Sequence, residues 1–226
     1  MRASRGFDVL REVADAPPRV RRSPVGERQR LKALDLLRRE RLVETAYCYC
    51  IVPLDAPPAA VLHAAGESLE APWLLPESGE LTAIACAVCT IGTAYEHRVS
   101  QLFAERQASL AMALNDLGNE LLFAVSRRAQ DRIQADVNRR GLSMAGELRP
   151  GDPGLAIEAQ GPVLRLACAD TIGITLGPGG LMNPVKSCSM VLGVGIGLPA
   201  VKWSRCDHCP TRHKCRVVEP AAGAAA

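Results

Sequence analysis

Three cysteines lie within ten residues near the C-terminus of this chain, at Cys206, Cys209 and Cys215. Thiolates bind soft metals, and closely spaced cysteines in a reducing compartment serve more often as metal ligands than as disulfide partners. The first two cysteines are separated by two residues, which suits a tight turn, and the third arrives from the next turn. This spacing predicts a single metal ion or an iron–sulfur cluster.

A four-coordinate site needs one ligand more than these three thiols supply. Cys188 is our first choice for the fourth ligand, and His208 and His213 are the alternatives for a zinc site. Zinc accepts imidazole as readily as thiolate, whereas four-iron clusters strongly favour thiolates, so the fourth ligand decides the metal. The sequence leaves a 4Fe–4S cluster and zinc both open.

The chain holds nine cysteines, an odd number that argues against a framework made only of disulfides. Two further pairs, Cys48 with Cys50 and Cys86 with Cys89, could together form a second four-thiol site. Both pairs lie in apolar stretches typical of strands, where cysteine commonly acts as a small buried hydrophobic residue. Packing in the core is therefore the preferred interpretation of these four.

Composition limits the class of protein. With 226 residues and 48% hydrophobic content, the chain can bury one substantial core. Aromatic residues make up only 4%, so the basic ends lack the stacking platform of a nucleic-acid binder, and we expect no such partner. The N-terminus has no apolar signal region and no apolar run reaches membrane length, so we expect a cytoplasmic protein without a membrane partner.

Helices and separated strands alternate along the chain, which predicts a single α+β domain. Residues 1 to 25 contain Pro17-Pro18 and Ser23-Pro24 among arginines and predict a mobile arm with one short helix at most. Gly118 marks either a close helix contact or the joint between two helices. The predicted helices cover residues 26–44, 96–140 and 157–168, and the predicted strands cover residues 47–54, 81–89, 172–176 and 190–196.

A set of short motifs then points to a family. In chain order they are Thr90-Ile-Gly92, Leu114-Asn-Asp-Leu-Gly118, Arg149-Pro-Gly151-Asp-Pro-Gly-Leu-Ala-Ile-Glu158-Ala-Gln160, Ile172-Gly-Ile-Thr-Leu176 and Leu181-Met-Asn-Pro184-Val-Lys186-Ser187. Their order and spacing resemble the activation domain of cobalamin-dependent methionine synthase, in particular its small stand-alone relatives. The resemblance spans roughly residues 43 to 197.

The resemblance implies a single α+β domain with a curved antiparallel sheet flanked by helices. It divides the chain into a basic arm and amphipathic helix (1–42), the activation-like domain (43–200) and a Cys-rich metal-binding tail (201–226). In the family, a loop between an arginine and a tyrosine holds S-adenosylmethionine. The corresponding positions here, our candidate cofactor-binding residues, are Glu147, Arg149, Pro150, Gly151 and Asp152.

Two of these positions depart from the family pattern. Glu147 stands in place of the family's arginine and Asp152 in place of its tyrosine, whereas Pro150 and Gly151 match. A cation that could pair with a ligand carboxylate is lost and two acids are gained, which should weaken binding of the amino-acid end of S-adenosylmethionine. Arg149 is the neighbouring cation that could compensate.

The family and the cysteine tail together suggest a function. Similar tails are associated with stand-alone relatives found near corrinoid proteins, and returning Co(II) to Co(I) requires a low-potential electron that an iron–sulfur centre can supply. We therefore expect a corrinoid-activation protein whose partners are a corrinoid protein or cobalamin-dependent methyltransferase and an electron donor protein. No residue is a good candidate acid, base or nucleophile, which favours electron transfer or cofactor presentation over independent catalysis.

The alternative is a non-catalytic accessory or assembly protein for a metalloenzyme. In that case the domain fold is kept, S-adenosylmethionine binding is lost, and the tail is a structural zinc or iron–sulfur knuckle that recognises the partner.

Overall fold

The computed structural model of the chain describes residues 1–16 and 23–199. The helices in this part are α1 (Leu10–Asp15), α2 (Pro24–Glu40), α3 (Thr93–Ala104), α4 (Ala108–Asn138) and α5 (Gln160–Ala167). The strands are β1 (Arg2–Arg5), β2 (Ala46–Pro53), β3 (Val61–Ala64), β4 (Glu67–Glu70), β5 (Glu80–Thr90), β6 (Ser143–Leu148), β7 (Thr175–Leu176), β8 (Met182–Asn183) and β9 (Ser187–Ile196).

A five-stranded sheet organises the domain, with strand order β1-β2-β5-β9-β6 and antiparallel pairing throughout. Two small hairpins, β3–β4 and β7–β8, stand outside it. Helices on separate segments pack against this antiparallel sheet, which confirms the predicted α+β class. In the part of the chain that the structure describes, no helix is long and apolar enough to span a membrane.

Both faces of the sheet are covered. Residues on alternate positions of a strand point to opposite faces, so each strand feeds two cores. On the first face, Tyr49 and Cys89 pack with the buried leucines of α2 and α4. On the second face, Cys48 and Cys86 pack with α5 and the β3–β4 hairpin. Double coverage explains why β5 is an almost uninterrupted apolar run rather than an alternating one.

The N-terminal residues differ from the expected mobile arm. Residues 2–5 form β1, which pairs with β2 from Arg2 opposite Tyr49 to Arg5 opposite Ala46. Helix α1 follows and buries Val13 in the first core. The arginines and prolines of this region are typical of a mobile arm. The sequence did not reveal β1 because its pairing partner lies more than forty residues away, and local patterns carry no information about such a partner.

The predicted helix over residues 96–140 is two helices. The chain turns between α3 and α4 at Arg106, whose φ of 59° is incompatible with a continuous helix. Gly118 is not the joint but the close contact: it lies inside α4, where an added Cβ would come within 2.6 Å of the Tyr95 ring on α3.

Other boundaries shift for local reasons. The strand expected at 172–176 is only the short β7, because residues 169–172 form a 3₁₀ turn after α5. The sequence patterns predict no strand at residues 143–148, where the structure has β6. The glycines of β9 permit close backbone packing, since a Cβ on Gly195 would meet the carbonyl oxygen of Glu80.

Candidate functional site

Three segments that carry the family motifs meet at one end of the sheet, which we call the motif end. It consists of residues 90–92 at the end of β5, residues 149–155 after β6, and residues 182–187, which lead into β9. Thr90 lies opposite Ser187 in the register of β5 and β9, and β6 runs antiparallel to β9 and ends at Leu148 opposite Val191. The directions of the three strands therefore place all three segments at the same end of the sheet.

Hydrogen bonds join the first and third of these segments. The Ile91 amide donates to the Lys186 carbonyl at 3.1 Å, and the Thr90 hydroxyl donates to the same carbonyl at 3.2 Å. The Thr90 hydroxyl also accepts from the Gly92 amide at 3.1 Å. The Thr-Ile-Gly motif thus forms a turn with an internal hydrogen bond, and it also binds the residues that lead into β9.

The same segment also contacts α3 and α4. The Val185 amide donates to Glu96 Oε2 at 2.7 Å, and Lys186 Nζ donates to Asn119 Oδ1 at 2.7 Å. Burial lowers the pKa of Lys186. Since Asn119 directly follows the motif that ends at Gly118, these bonds connect three of the motif segments.

A groove of about 420 Å³ opens at the motif end. Arg5, Glu44, Thr90 and Thr93 line it, together with Gly92 and Pro184. Gly92 has a φ of 87°, and an added Cβ would lie 2.7 Å from the Cβ of Glu44. Backbone at the start of α3 therefore reaches the groove wall only because this position lacks a side chain.

Residues 149–155, the glycine loop, fold into tight turns. The Asp152 amide donates to the Arg149 carbonyl at 2.9 Å, and the Gly151 amide donates to the Leu155 carbonyl at 2.9 Å. Gly151 has a φ of 90° and is exposed, while Pro150 and Asp152 are half-buried. The loop presents rigid backbone, with Gly151 open to a ligand at close range.

Arg149 points away from that exposed surface. Its Nε donates to Glu147 Oε1 at 2.7 Å, its Nη2 donates to Ser126 Oγ at 3.1 Å, and its guanidinium lies over the Phe123 ring. Only 12% of the Arg149 side chain is exposed. Arg149, the cation that could have compensated for the missing arginine, is therefore bound to Glu147 and to α4. The charge of Glu147 is likewise paired.

Cys188 faces the first core, opposite Cys89 in the register of β5 and β9. Cys89 is fully buried and Cys188 is half-buried. A hydrogen bond from the Cys89 thiol and the charge of Arg149 lower the pKa of Cys188, and the same hydrogen bond raises the pKa of Cys89. The predicted fourth ligand therefore lies beside a cation that favours its thiolate form.

The other predicted metal ligands, Cys206, Cys209 and Cys215, lie outside the described residues, as do His208 and His213. Cys188 stands near the start of β9, roughly 27 Å along the strand from Ile196 at a rise of about 3.4 Å per residue. The ten residues from Ile196 to Cys206 span at most roughly 35 Å. Chain length therefore permits Cys188 to join the tail cysteines only along a nearly extended return path.

A second four-thiol site from Cys48, Cys50, Cys86 and Cys89 is not formed. Cys86 and Cys89 are three positions apart in one strand, so they lie on opposite faces of the sheet. Among residues 1–16 and 23–199, no group of three or more Cys, His, Asp or Glu side chains is arranged to hold a metal ion. The odd spacing within a strand was the sequence signal against this site.

Gln160 is a residue of the site to which sequence reasoning assigned no role. Its Nε2 donates to Ser189 Oγ at 2.8 Å and lies 3.5 Å from Met182 Sδ. It is buried at the first position of α5 and connects that helix to β8 and β9. The sequence signal was its place at the end of the longest motif.

Comparison with known proteins shows a likeness of fold. No family model matches the chain, and no curated protein matches it at a significant level. The fold is similar to that in a crystal structure of the MetH reactivation domain bound to AdoHcy, with a TM-score of 0.64 over 90% of this chain and 81% of that chain. Sequence identity is 14%, so the likeness is one of fold.

Proposed function

We propose that this protein reactivates a corrinoid protein or cobalamin-dependent methyltransferase in the cytoplasm. The observation that carries the proposal is the convergence of the motif segments at one end of the sheet, in a fold similar to that of the MetH reactivation domain. The resemblance of these motifs to the activation domain lies in their residues and spacing alone. Their spatial contact is an independent reason to treat them as one functional surface.

In this proposal the domain docks the corrinoid partner and the tail supplies an electron. Cys206, Cys209 and Cys215 would hold a 4Fe–4S cluster with Cys188 as the fourth ligand. Iron–sulfur clusters reach the low potentials that reduction of Co(II) requires, and a separate donor protein would recharge the cluster. The assignment of the tail cysteines rests on their spacing, and that of Cys188 on a chain length that permits it to join them and on its place beside Arg149.

Cluster content tests the redox part of the proposal directly. Anaerobically purified protein should contain iron and sulfide and show a visible charge-transfer band. Cys206→Ser, Cys209→Ser and Cys215→Ser should each lose most of the iron, and Cys188→Ser should lower its occupancy. Cys168→Ser is the matched control, since this half-buried thiol lies on the second face and should leave the iron content unchanged.

The same measurement separates the two candidate functions. Zinc at one ion per chain, without sulfide, would contradict the electron-transfer proposal and support the structural knuckle. Co-purification with a cobalamin protein would support the first reading, and with another metalloenzyme the second.

We further propose that S-adenosylmethionine binds weakly at the glycine loop, with Glu147, Arg149, Pro150, Gly151 and Asp152 as the contacting residues. The exposed backbone at Gly151 suits close approach of the ligand. The ion pair between Arg149 and Glu147 leaves the ligand's carboxylate without a free cation in this loop. This ion pair is the specific observation that favours the accessory-protein alternative.

Glu147→Ala should strengthen that binding, because it releases Arg149 from its partner. We expect S-adenosylmethionine affinity to rise about tenfold, or ~1.4 kcal/mol, in titration calorimetry. Glu158→Ala is the control, since Glu158 is an exposed acid of the same region, whereas Arg149 bonds to Glu147 and Ser126. If neither the natural chain nor Glu147→Ala binds the ligand, this part of the proposal is wrong and the accessory role gains support.

A further inference from the structure

Two thiols from distant parts of the chain touch on the second face of the sheet. Cys50 Sγ in β2 lies 3.7 Å from Cys168 Sγ, which follows α5, although the two residues are 118 positions apart. Cys168 ends α5 with a left-handed backbone conformation, φ 56° and ψ 51°. The fold therefore brings together a strand and a helix terminus through their sulfur atoms.

Two further cysteines lie beside this contact, and both are more deeply buried than Cys50 and Cys168. Cys48 Sγ donates to the Cys168 carbonyl at 3.6 Å, and Cys86 lies across from Cys50 in the register of β2 and β5. Cys48 and Cys86 are fully buried, whereas Cys50 and Cys168 are half-buried. A reagent in solution can thus reach Cys50 and Cys168 but not the other two thiols of the face.

A metal ion does not account for this cluster. The described residues contain no group of three or more ligating side chains with suitable geometry, and both zinc and four-iron clusters need at least three from the protein. The contact between Cys50 and Cys168 therefore suits chemistry that needs only two thiols.

We propose that Cys50 and Cys168 form a redox-active dithiol that closes to an intramolecular disulfide. The oxidant class is a low-molecular-weight disulfide such as glutathione disulfide. One cysteine thiolate attacks a sulfur of the oxidant, forms a mixed disulfide and expels one glutathione thiolate. The second cysteine then attacks the protein sulfur of that mixed disulfide and expels the second glutathione. Two cysteine thiols are oxidised, one disulfide is reduced to two thiols, and the two cysteine protons leave with the products.

The geometry suits the second step. The two sulfurs must approach by about 1.7 Å to reach bonding distance. The movement falls on Cys168 rather than on the sheet, because Cys168 directly precedes a short 3₁₀ turn while Cys50 is held in β2 by its pairing with Cys86 of β5.

The disulfide would also act on the groove at the motif end. The Thr171 hydroxyl donates to the Cys168 carbonyl at 2.7 Å, and the turn leads directly to Ile172 and Gly173, which line the groove. β2 contributes Ala46 to the same groove. Oxidation would thus tie two walls of the groove together through one covalent bond.

The test uses the full-length protein incubated anaerobically with glutathione disulfide, followed by alkylation of the remaining thiols and peptide mass spectrometry. We expect Cys50 and Cys168 to become resistant to alkylation together and to appear as one cross-linked peptide pair without attached glutathione. In Cys168→Ser, Cys50 should instead retain one glutathione, and in Cys50→Ser the same should hold for Cys168. Cys89→Ala, which removes a buried thiol of the first face, should form the cross-link like the natural chain.

The test stays decisive even if one of these two variants folds poorly. Cys168→Ser traps the mixed disulfide on Cys50, and Cys50→Ser traps it on Cys168. Far-ultraviolet circular dichroism checks the fold of each. Stable glutathione adducts on Cys50 or Cys168 in the natural chain, or full alkylation of both after treatment, would overturn the proposal.

Discussion

Gly118 and Tyr95 set the distance between α3 and α4. The Tyr95 ring is fully buried against the glycine, and its hydroxyl donates to the Leu114 carbonyl one turn earlier in α4. Burial raises the pKa of Tyr95, so the phenol stays neutral and remains a donor. One glycine and one tyrosine thus hold a helix pair that supports the Lys186 contact at Asn119.

Gly118→Ala should destabilise the protein although alanine favours helix. The new methyl group would lie 2.6 Å from a ring carbon of Tyr95, and the ring is confined on all sides. We expect a loss of about 2 kcal/mol in the free energy of unfolding, measured by urea denaturation.

The matched control is Gly161→Ala in α5. There the new methyl group would lie 3.3 Å from Nη1 at the far end of the flexible Arg165 side chain and 3.6 Å from Cδ2 of Leu176, which is an ordinary van der Waals contact. Helix propensity should then dominate and raise stability by roughly 0.5–1 kcal/mol. Equal effects at both positions would contradict the role assigned to Tyr95.

Asp136 joins three elements at the edge of the sheet. Its side chain is 2% exposed and pairs with Arg2 of β1 at 2.6 Å, with Arg139 after α4, and with Arg132 within α4. Tyr49 of β2 donates its hydroxyl to the same carboxylate. Burial alone would raise the pKa of Asp136, but the Tyr49 hydrogen bond and the surrounding arginines outweigh it and hold the pKa below its usual range.

Asp136→Asn should destabilise the protein in a pH-dependent manner. Because the folded pKa is depressed, the carboxylate contributes its full stability above the unfolded value of about 3.9 and loses it as the pH falls through the folded pKa. We expect a cost of about 2 kcal/mol at pH 7, which shrinks at pH 2–3, in denaturation curves at both pH values.

Asp35→Asn controls for a generic charge effect. Asp35 pairs with Arg39 on the surface of α2, where both side chains are more than half exposed. Its loss should change stability by less than about 0.5 kcal/mol at either pH. A pH-independent cost at Asp136 would contradict the assigned role of its charge.

At the scale of the whole molecule, the N-terminal residues complete the domain. β1 covers the outer edge of β2, and Arg30 of α2 binds both the Val13 carbonyl of the N-terminal segment at 3.1 Å and Glu120 of α4 at 2.9 Å. Arg30 is buried, so these bonds replace its lost hydration. The N-terminal segment is thus part of the core rather than an appendage.

Removal of residues 1–16 should therefore cause self-association. It would expose the backbone edge of β2 together with Tyr47 and Tyr49, and unpaired edge strands template pairing with other chains. We expect oligomers or aggregates in light scattering where the full-length chain is uniform. A chain lacking only residues 217–226 should behave like the full-length protein, and a uniform species from both truncations would contradict this prediction.

The sequence by itself determined the fold class, the main strands and helices, and the motif resemblance that points to the function. Apolar periodicity is local, so stretches such as residues 47–54 and 81–89 reveal their strands directly. The sequence also contains the evidence against the second four-thiol site. Cys86 and Cys89 are three positions apart in one strand, and side chains separated by three positions point to opposite faces of a sheet.

Only the tertiary structure decided which distant residues meet. The pairing of β1 with β2, the convergence of the motif segments and the contact between Cys50 and Cys168 all depend on strand order and register. These are properties of pairing across 40 to 120 residues of chain, and no local pattern of residue types encodes them.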